Sequence, residues 1–483
     1  MYIGLDIGTS SVKALLIDGA QRPVHAETAP LALSRPRPGW SEQDPADWLA
    51  ATDAVMAGLA RAAPEAMRAV EGIGIAGQMH GATLLGQDDR PLRPCILWND
   101  GRAADACNAL DDREPAFRTL GGNLVMPGFT APKLEWVRTH EPAIFDKLAT
   151  VLLPKDYVRL HLTGEKISDM SDAAGTLWLD VARRDWSDRL LSATGLDRGQ
   201  MPRLVEGIAT GGVLRHELAV RWGMGSRVVV AGGGGDNAAS ACGVGVVTPG
   251  AAFLSIGTSG VLFVCTPAFS PNTEGAVHAF CHAVPGLWHQ MGVVLSAAAS
   301  LEWLAGVTGT QASSLAEEAG ALPRSPGRAM FAPYLAGERT PHNDATVRAG
   351  FVSLDGADDR AALARAVMEG VAFSMRDCLD ALAAAGTRIE SVLAVGGGAR
   401  SPAWLDMMAD TLDVPVRLPA EGEIGAAFGA ARLGMIAASG ANVGEVCVAP
   451  AIRYVHEPKA APAYAEALGR WRKLYPFMKE AET

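Results

Sequence analysis

Two small-residue turns and two carboxylates carry the chemistry open to this chain of 483 residues. LDIGTSSV (5–12) and LSIGTSGV (254–261) share the core LxIGTS and differ at one charged position, where Asp6 is answered by Ser255. In each, a strand pattern breaks at a Gly-Thr-Ser tip and then resumes, which predicts a β-hairpin. The tips are Gly8, Thr9, Ser10 and Gly257, Thr258, Ser259. Such residues let backbone N–H groups and Oγ atoms converge on a phosphate. An ordinary hairpin explains either copy alone, but two copies facing one another could grip a triphosphate from both sides. A triphosphate needs a divalent cation, and Mg²⁺ takes one or two carboxylates with waters and phosphate oxygens. Asp6 supplies one; a second at position 255 would only repel the phosphates.

The second carboxylate is Asp236, which follows four glycines in VVVAGGGGDNAASACG. It could simply cap the helix NAASAC. Glycines around a lone carboxylate also clear room for a ligand, and transfer of a phosphoryl group to an alcohol wants an Asp beside the attacking hydroxyl. In SVLAVGGGARSPAW a strand ends at Val395, Gly396, Gly397 and Gly398 allow close approach to the backbone, and Ser401-Pro402 starts a helix. That loop suits the adenosine end of a nucleotide, or is a plain strand-to-helix connection. Residues fit to hold a polyol gather in GQMHGATLL, with His80, and in LWNDGRAAD, where Trp98, Asn99, Asp100 and Arg102 combine an apolar plate with donors and acceptors. The competing reading is an Asp100–Arg102 surface ion pair. GERTPHND (337–344) is equally polar and has no assignment from chemistry alone.

These groups need a framework of strands and helices to bring them together. Strand-like runs (13–18, 72–77, 227–233, 251–257, 391–397) alternate with helical ones (48–63, 363–386, 404–412), which predicts an α/β fold. A boundary falls in VGVVTPGAA, giving domains 1–246 and 247–483 that each open on the same hairpin, the trace of a duplication. Residues 462–483 predict a surface helix with Tyr464, Leu468, Trp471 and Tyr475 on one stripe. A formal charge of −11 disfavours nucleic acid and anionic membrane as partners. Seven scattered cysteines without a CxxC pair argue against a disulfide framework or a zinc site. With no leader-like start and no long uncharged apolar run, the expectation is a cytoplasmic protein acting on small molecules. No Gly-Lys pair occurs, so a P-loop is excluded. Gly72, Gly74 and Gly77 spell GxGxxG, but the segment after them looks extended rather than helical, so a dinucleotide fingerprint is not expected.

Together these strings resemble the FGGY carbohydrate kinases, within the actin/hexokinase/Hsp70-type ATPase fold. The similarity covers almost the whole chain, through MYIGLDIGTSSVKALLID, GIAGQMHGATLL, ILWNDGR, MPGFTAPKLEWV, LLPKDYVRLHLTGE, SDMSDAAGTLWLD, AGGGGDNAA, LSIGTSG, PYLAGERTPH and VGGGARS. The resemblance implies two duplicated ribonuclease H-like domains around a cleft. The first would bind sugar and carry the catalytic Asp, and the second would bind ATP. It implies Mg-ATP as donor and a sugar acceptor, most similar to the branch acting on D-xylulose, with other pentuloses or pentitols as alternatives and at most a second copy of the chain as protein partner. It makes Asp236 the general base, Asp6 the metal-associated carboxylate, and Met79, His80 and Asn237 substrate contacts. Gly8, Thr9, Ser10, Gly257, Thr258 and Ser259 would meet phosphates, and Gly396, Gly397 and Gly398 the adenosine. Lys155 and Asp156 read as structural. The family pattern before the catalytic Asp is AGGGDN, and the extra glycine here could displace Asp236. The rival class, a non-catalytic actin-like ATPase, would need no sugar-facing cluster.

Overall fold

The computed structural model describes residues 1–420 and 425–481. The first sheet is built from β1 (Tyr2–Ile7), β2 (Ser11–Ile17), β3 (Pro23–Pro30), β4 (Gly72–Gly77), β5 (Thr210–Val213), β6 (Val229–Ala231) and β7 (Gly234–Gly235), in the order β3-β2-β1-β4-β6-β5 with β7 also on β4. The second comprises β8 (Ala252–Ile256), β9 (Gly260–Thr266), β10 (His278–Cys281), β11 (Trp288–Val294), β12 (Val392–Val395), β13 (Val416–Pro419) and β14 (Ile452–His456), in the order β10-β11-β9-β8-β12-β13-β14. The two share a six-strand pattern, with β7 and β10 outside it and the edge strand β5 preceding β6 in the chain where β14 follows β13. In each, an antiparallel hairpin (β1–β2, β8–β9) has a further antiparallel strand on one side (β3, β11). On the other side lie a parallel pair (β4 and β6, β12 and β13) and an antiparallel edge (β5, β14). The duplication expected from one repeated turn is thus visible in topology.

The helices that matter for the site are α1 (Pro45–Ala62), α2 (Pro154–Thr163), α3 (Met170–Ala174), α4 (Asp236–Gly243), α5 (Arg360–Ala384), α6 (Pro402–Leu412), α7 (Ala426–Ser439), α8 (Ala461–Trp471) and α9 (Leu474–Ala481). Their starts are written locally. Asp44 accepts from the Ala46 N–H ahead of Pro45, and Ser401 accepts from the Trp404 N–H ahead of Pro402. The face of α7 that lies directly on the first sheet is made of small residues, Ala and Gly. A Cβ on Gly4 would come within 1.7 Å of the Ala427 carbonyl, and one on Gly74 within 1.7 Å of the Ala430 carbonyl. This explains the GxGxxG string. Gly72–Gly77 is itself a strand, buried throughout, and its first two glycines admit a helix rather than a pyrophosphate.

Two expectations change. The C-terminal helix is two helices, because Pro476 has no N–H to continue the α8 ladder and is tolerated only in the first turn of α9. Its stripe faces inward: Tyr464, Leu468 and Trp471 are buried in the second core. The expected strand 227–233 shrinks to Val229–Ala231, since the glycines after it bend away. No helix among the described residues is long and apolar enough to cross a membrane, and all seven cysteines are unpaired.

Candidate active site

Asp236 stands at the first position of α4, not at its cap. Gly235 occupies the cap position, and the Asp236 Oδ1 accepts from the Asn237 backbone N–H at 2.7 Å and its Nδ2 at 2.9 Å. The extra glycine is absorbed before it reaches Asp236. Val230 pairs with Ile73 and Gly234 with Ala76, so four steps on one strand match three on β4, a bulge. Gly233 makes the bulge possible with φ 77°, and a Cβ there would lie 2.0 Å from the Ile75 carbonyl. Beneath the turn lies a buried ion cluster. Lys155 Nζ reaches Asp156 at 2.6 Å, Asp169 at 2.7 Å and Asp172 at 3.2 Å, and Arg159 joins Asp156 at 2.7 Å, every side chain without solvent exposure. Asp169 holds the Ser171 hydroxyl at 2.5 Å, and that hydroxyl accepts from the Gly235 N–H at 3.1 Å. The structural reading of Lys155 and Asp156 fits this platform.

Above it is a cavity of about 210 Å³ lined by Met79, His80, Trp98, Asp236, Asn237 and Ser259 among others. At about 30 Å³ per water it holds roughly seven waters, room for a small polyol and not for a nucleotide. His80 has φ 69°, a left-handed backbone that a non-glycine residue adopts at a cost. Its carbonyl is clamped by Lys133 Nζ at 2.8 Å and Thr130 Oγ1 at 3.1 Å. The ring Nδ1 lies 2.7 Å from the Gly175 carbonyl, so Nδ1 carries the proton and Nε2 is left an acceptor. Burial, with Lys133 nearby, pushes the imidazole pKa down to about 3 and keeps it neutral. Burial also raises Asp236 above the ordinary carboxylate range. Asp6 is pushed up to about 7, first by burial and then by the Asp236 charge, with Lys13 relieving part of it. Two carboxylates, Asp6 on β1 and Asp236 at the start of α4, therefore repel each other across the site. Among the described residues no hydrogen bond is donated to the Asp6 carboxylate, and no group of three or more metal-ligating side chains occurs. A lone carboxylate of this kind could add one ligand to an ion held mainly by waters and phosphate oxygens.

The hairpin tips sit beside this cavity and are closed differently. Gly8 N–H donates to the Ser11 carbonyl at 3.0 Å and Gly257 N–H to the Ser259 carbonyl at 3.1 Å, so neither glycine N–H is open to a phosphate. Carbonyls of Gly257 and Thr258 accept from the N–H groups of Ala297, Ala298 and Ala299. Further along, Gly396 caps a short 3-10 turn, Gly397–Arg400, with a cavity on either side, of about 800 Å³ and 870 Å³. Either is large enough for a nucleoside, and the second includes Ala298, next to the tip at 257–258.

Residues 1–243 match the N-terminal domain of the FGGY family of carbohydrate kinases, and residues 252–438 match its C-terminal domain. The chain belongs to this family. A xylulose kinase from Escherichia coli (strain K12) is 51% identical over 91% of this chain and 90% of its own length. One from Bacillus subtilis (strain 168) is 36% identical over 100% and 96%. The crystal structure of a xyloylose kinase from Brucella ovis, 56% identical, superposes with a TM-score of 0.97 over 99% of both chains. As an FGGY kinase the protein is an enzyme that transfers phosphate from ATP to a sugar, with the two-domain actin-like ATPase fold.

Within this FGGY site several expected residues meet. Met79, His80, Trp98, Asp236, Asn237 and Ser259 share the sugar-sized cavity, with Asp6 within range of Asp236. Asp100 and Arg102 do not line it. Arg102 pairs with Asp100 at 2.7 Å and Glu42 at 2.7 Å and stacks on Trp40 at 3.6 Å, while Asp100 also accepts from the Ser41 N–H at 2.5 Å. They form an ion pair, but a buried one, 2% and 9% exposed, whose donors and acceptors are spent within the protein. The Thr9 hydroxyl is likewise engaged, donating to Gln78 Oε1 at 3.0 Å and accepting from Trp98 Nε1 at 3.0 Å. Only its backbone N–H remains for a phosphate. The residues missed by sequence are Met126, Phe129, His278, Phe280 and Arg339. Arg339 lies in the polar GERTPHND string that chemistry left unassigned, and Met126 and Phe129 lie in MPGFTAPKLEWV, one of the strings of the family resemblance; His278 and Phe280 carried no signal.

Proposed function

We propose that the protein phosphorylates D-xylulose on its terminal primary hydroxyl, giving D-xylulose 5-phosphate, with Mg-ATP as donor. The observation carrying this reading is one small cavity that joins a carboxylate, Asp236, to the phosphate-binding hairpin through Ser259 and to a neutral, tautomer-fixed His80. In this reading Asp236 holds the attacking hydroxyl by its free oxygen and takes the proton as the oxygen bonds to phosphorus. Asn237 keeps the other carboxylate oxygen fixed. His80 Nε2 accepts from a second sugar hydroxyl, and Met79 and Trp98 pack against the carbon chain. The N–H groups of Thr9, Ser10, Thr258 and Ser259, with the hydroxyls of Thr258 and Ser259, hold the phosphates, and the Gly396–Gly398 turn meets the adenosine. Asp6 would hold Mg²⁺, which supplies charge neutralisation to the phosphates. The sugar cavity is lined from both halves and the Gly396–Gly398 segment belongs to the second, so closing the halves on sugar and nucleotide would bring the reacting atoms together, and ATP is protected from water without sugar. The relatives named above as xylulose kinases support this substrate. The test is kcat/KM over D-xylulose, D-ribulose, L-ribulose, D-xylose, glycerol, D-gluconate and the pentitols. D-xylulose is expected to lead, and another acceptor ahead by tenfold would overturn the substrate while leaving the kinase.

A further inference from the structure

The string GERTPHND folds as a strap fixed at both of its neighbours to Arg339. Glu338 and Asp344 exchange backbone hydrogen bonds at 2.8 Å, which closes the strap on itself. Glu338 Oε1 accepts from the Leu295 N–H at 3.0 Å and the Arg339 N–H at 2.8 Å. Thr340 Oγ1 accepts from the Val293 N–H at 3.0 Å and donates to the Ala276 carbonyl at 3.1 Å. Val293 and Leu295 themselves line the sugar cavity, and so does Arg339, sitting between the two anchored side chains.

The guanidinium is aimed by a chain of assigned donors. Asn123 Nδ2 donates to the carbonyls of Gly121 and Ala279, so its Oδ1 is the acceptor end, 3.1 Å from His278 Nδ1. His278 therefore carries its proton on Nδ1 and offers Nε2 as acceptor to Arg339, 3.3 Å away. Among the described residues no carboxylate makes a salt bridge with Arg339, and Glu338 is turned to backbone N–H groups. A half-buried charge bonded only to an imidazole still has donors to satisfy. The cavity thus presents a group that only donates, Arg339, and one that only accepts, His80 Nε2. Their complement in an open-chain ketose is a carbonyl oxygen beside a hydroxyl.

We propose that Arg339 is a specificity-determining residue that donates hydrogen bonds to the ketone oxygen of the sugar and so separates a ketopentose from its alditol. This rests on the sugar-kinase reading of the cavity and deepens it. A hydroxyl in place of the ketone gives the fork an acceptor of the wrong geometry with a hydrogen to dispose of, so the alditol binds without the full benefit of the charge.

The test is calorimetric binding of D-xylulose and xylitol, with a non-hydrolysable ATP analogue present, to the wild type, Arg339→Gln and Arg339→Lys. Melting temperatures are measured alongside, and Arg339→Lys serves if Arg339→Gln does not fold. The ratio of the two dissociation constants should move toward unity by about ten- to hundredfold in Arg339→Gln, the range for a lost hydrogen bond to a charged group. Arg339→Lys, which keeps the charge and loses the fork, should fall between. An unchanged ratio, whether or not both affinities drop, overturns the proposal. If the wild type prefers a different ketopentose, D-xylulose fails as the substrate, and the same ratio for that ketose and its alditol decides on Arg339.

Discussion

The two Gly-Thr-Ser hairpins occupy equivalent places in equivalent sheets, yet they are surrounded by opposite materials. Beside the first, Gly4 pairs across to Gly74, and α7 rests on both glycines. The equivalent pair beside the second is Phe253 and Leu393, with Phe253 stacked on Phe263 at 4.8 Å inside an apolar cluster. The first carries Asp6, whose charge opposes that of Asp236; the second carries Ser255. The first tip spans residues 8–11 between Ile7 and Val12, while the second spans 257–259 between Ile256 and Gly260 and is braced by the start of the helix Ala298–Thr308. Duplication kept the Gly-Thr-Ser string at the hairpin tip and let what surrounds it diverge. In the proposed reaction the first copy is the charged side and the second a neutral clamp.

The largest expected effect breaks the charged side. Asp236→Asn should lower kcat by ~10²–10⁴, and because Gly235 holds the cap position the melting temperature should barely move. A comparable loss of stability would return Asp236 to a structural role. Asp6→Asn should lower kcat by about 10²–10³, the range for removing one electrostatic contact to the transition state, and raise the Mg²⁺ needed for half-maximal rate. A flat Mg²⁺ titration would end its assignment as the metal-associated carboxylate.

Gly74→Ala probes the packing difference. It drives a methyl into the Ala430 carbonyl and should cost about 1–3 kcal/mol by chemical denaturation. Leu393→Ala, at the equivalent place, should cost a similar amount by the opposite route of leaving a cavity, about 2–5 kcal/mol. Ser255→Asp makes the two hairpins alike in charge and should raise the KM for ATP by about tenfold through repulsion of the phosphates, with little change in sugar KM.

The smallest effect concerns the strap against the second sheet. Burial pushes Glu338 up to about 8, and its Oε2 is buried without a hydrogen-bond partner, as suits a protonated carboxyl. The folded state holds this proton more tightly than the unfolded chain, where the ordinary value is 4.5. The stability it contributes is therefore complete below the unfolded value and is lost as pH rises through the folded one. Glu338→Gln, neutral at every pH, should gain melting temperature relative to wild type between pH 5 and about 8. A constant difference across that range would mean the carboxyl is ionised throughout.

Much of this was legible in the sequence because it is local. A Gly-Thr-Ser break in an alternating run, Ser401-Pro402 before an apolar helix and a carboxylate after glycines each follow from backbone geometry within a few residues. The proposed pairing of Asp6 with a cation and of Asp236 with an alcohol rests on residue type. What failed was whatever depended on a partner distant in the chain. Asp100 and Arg102 have the composition of a sugar site, but Glu42, Ser41 and Trp40 claim their hydrogen bonds and bury them. Thr9 has the hydroxyl a phosphate wants, but Gln78 and Trp98 use it. Arg339 and His278 enter the cavity only because the strap is pinned to β11 and Asn123 fixes a histidine 155 positions later. The sequence by itself determined the hairpins, the carboxylates and the repeated framework, since each is encoded by neighbours along the chain. The tertiary structure alone decided which polar groups remain free for a substrate, because a hydrogen bond spent on a distant part of the protein leaves no local trace.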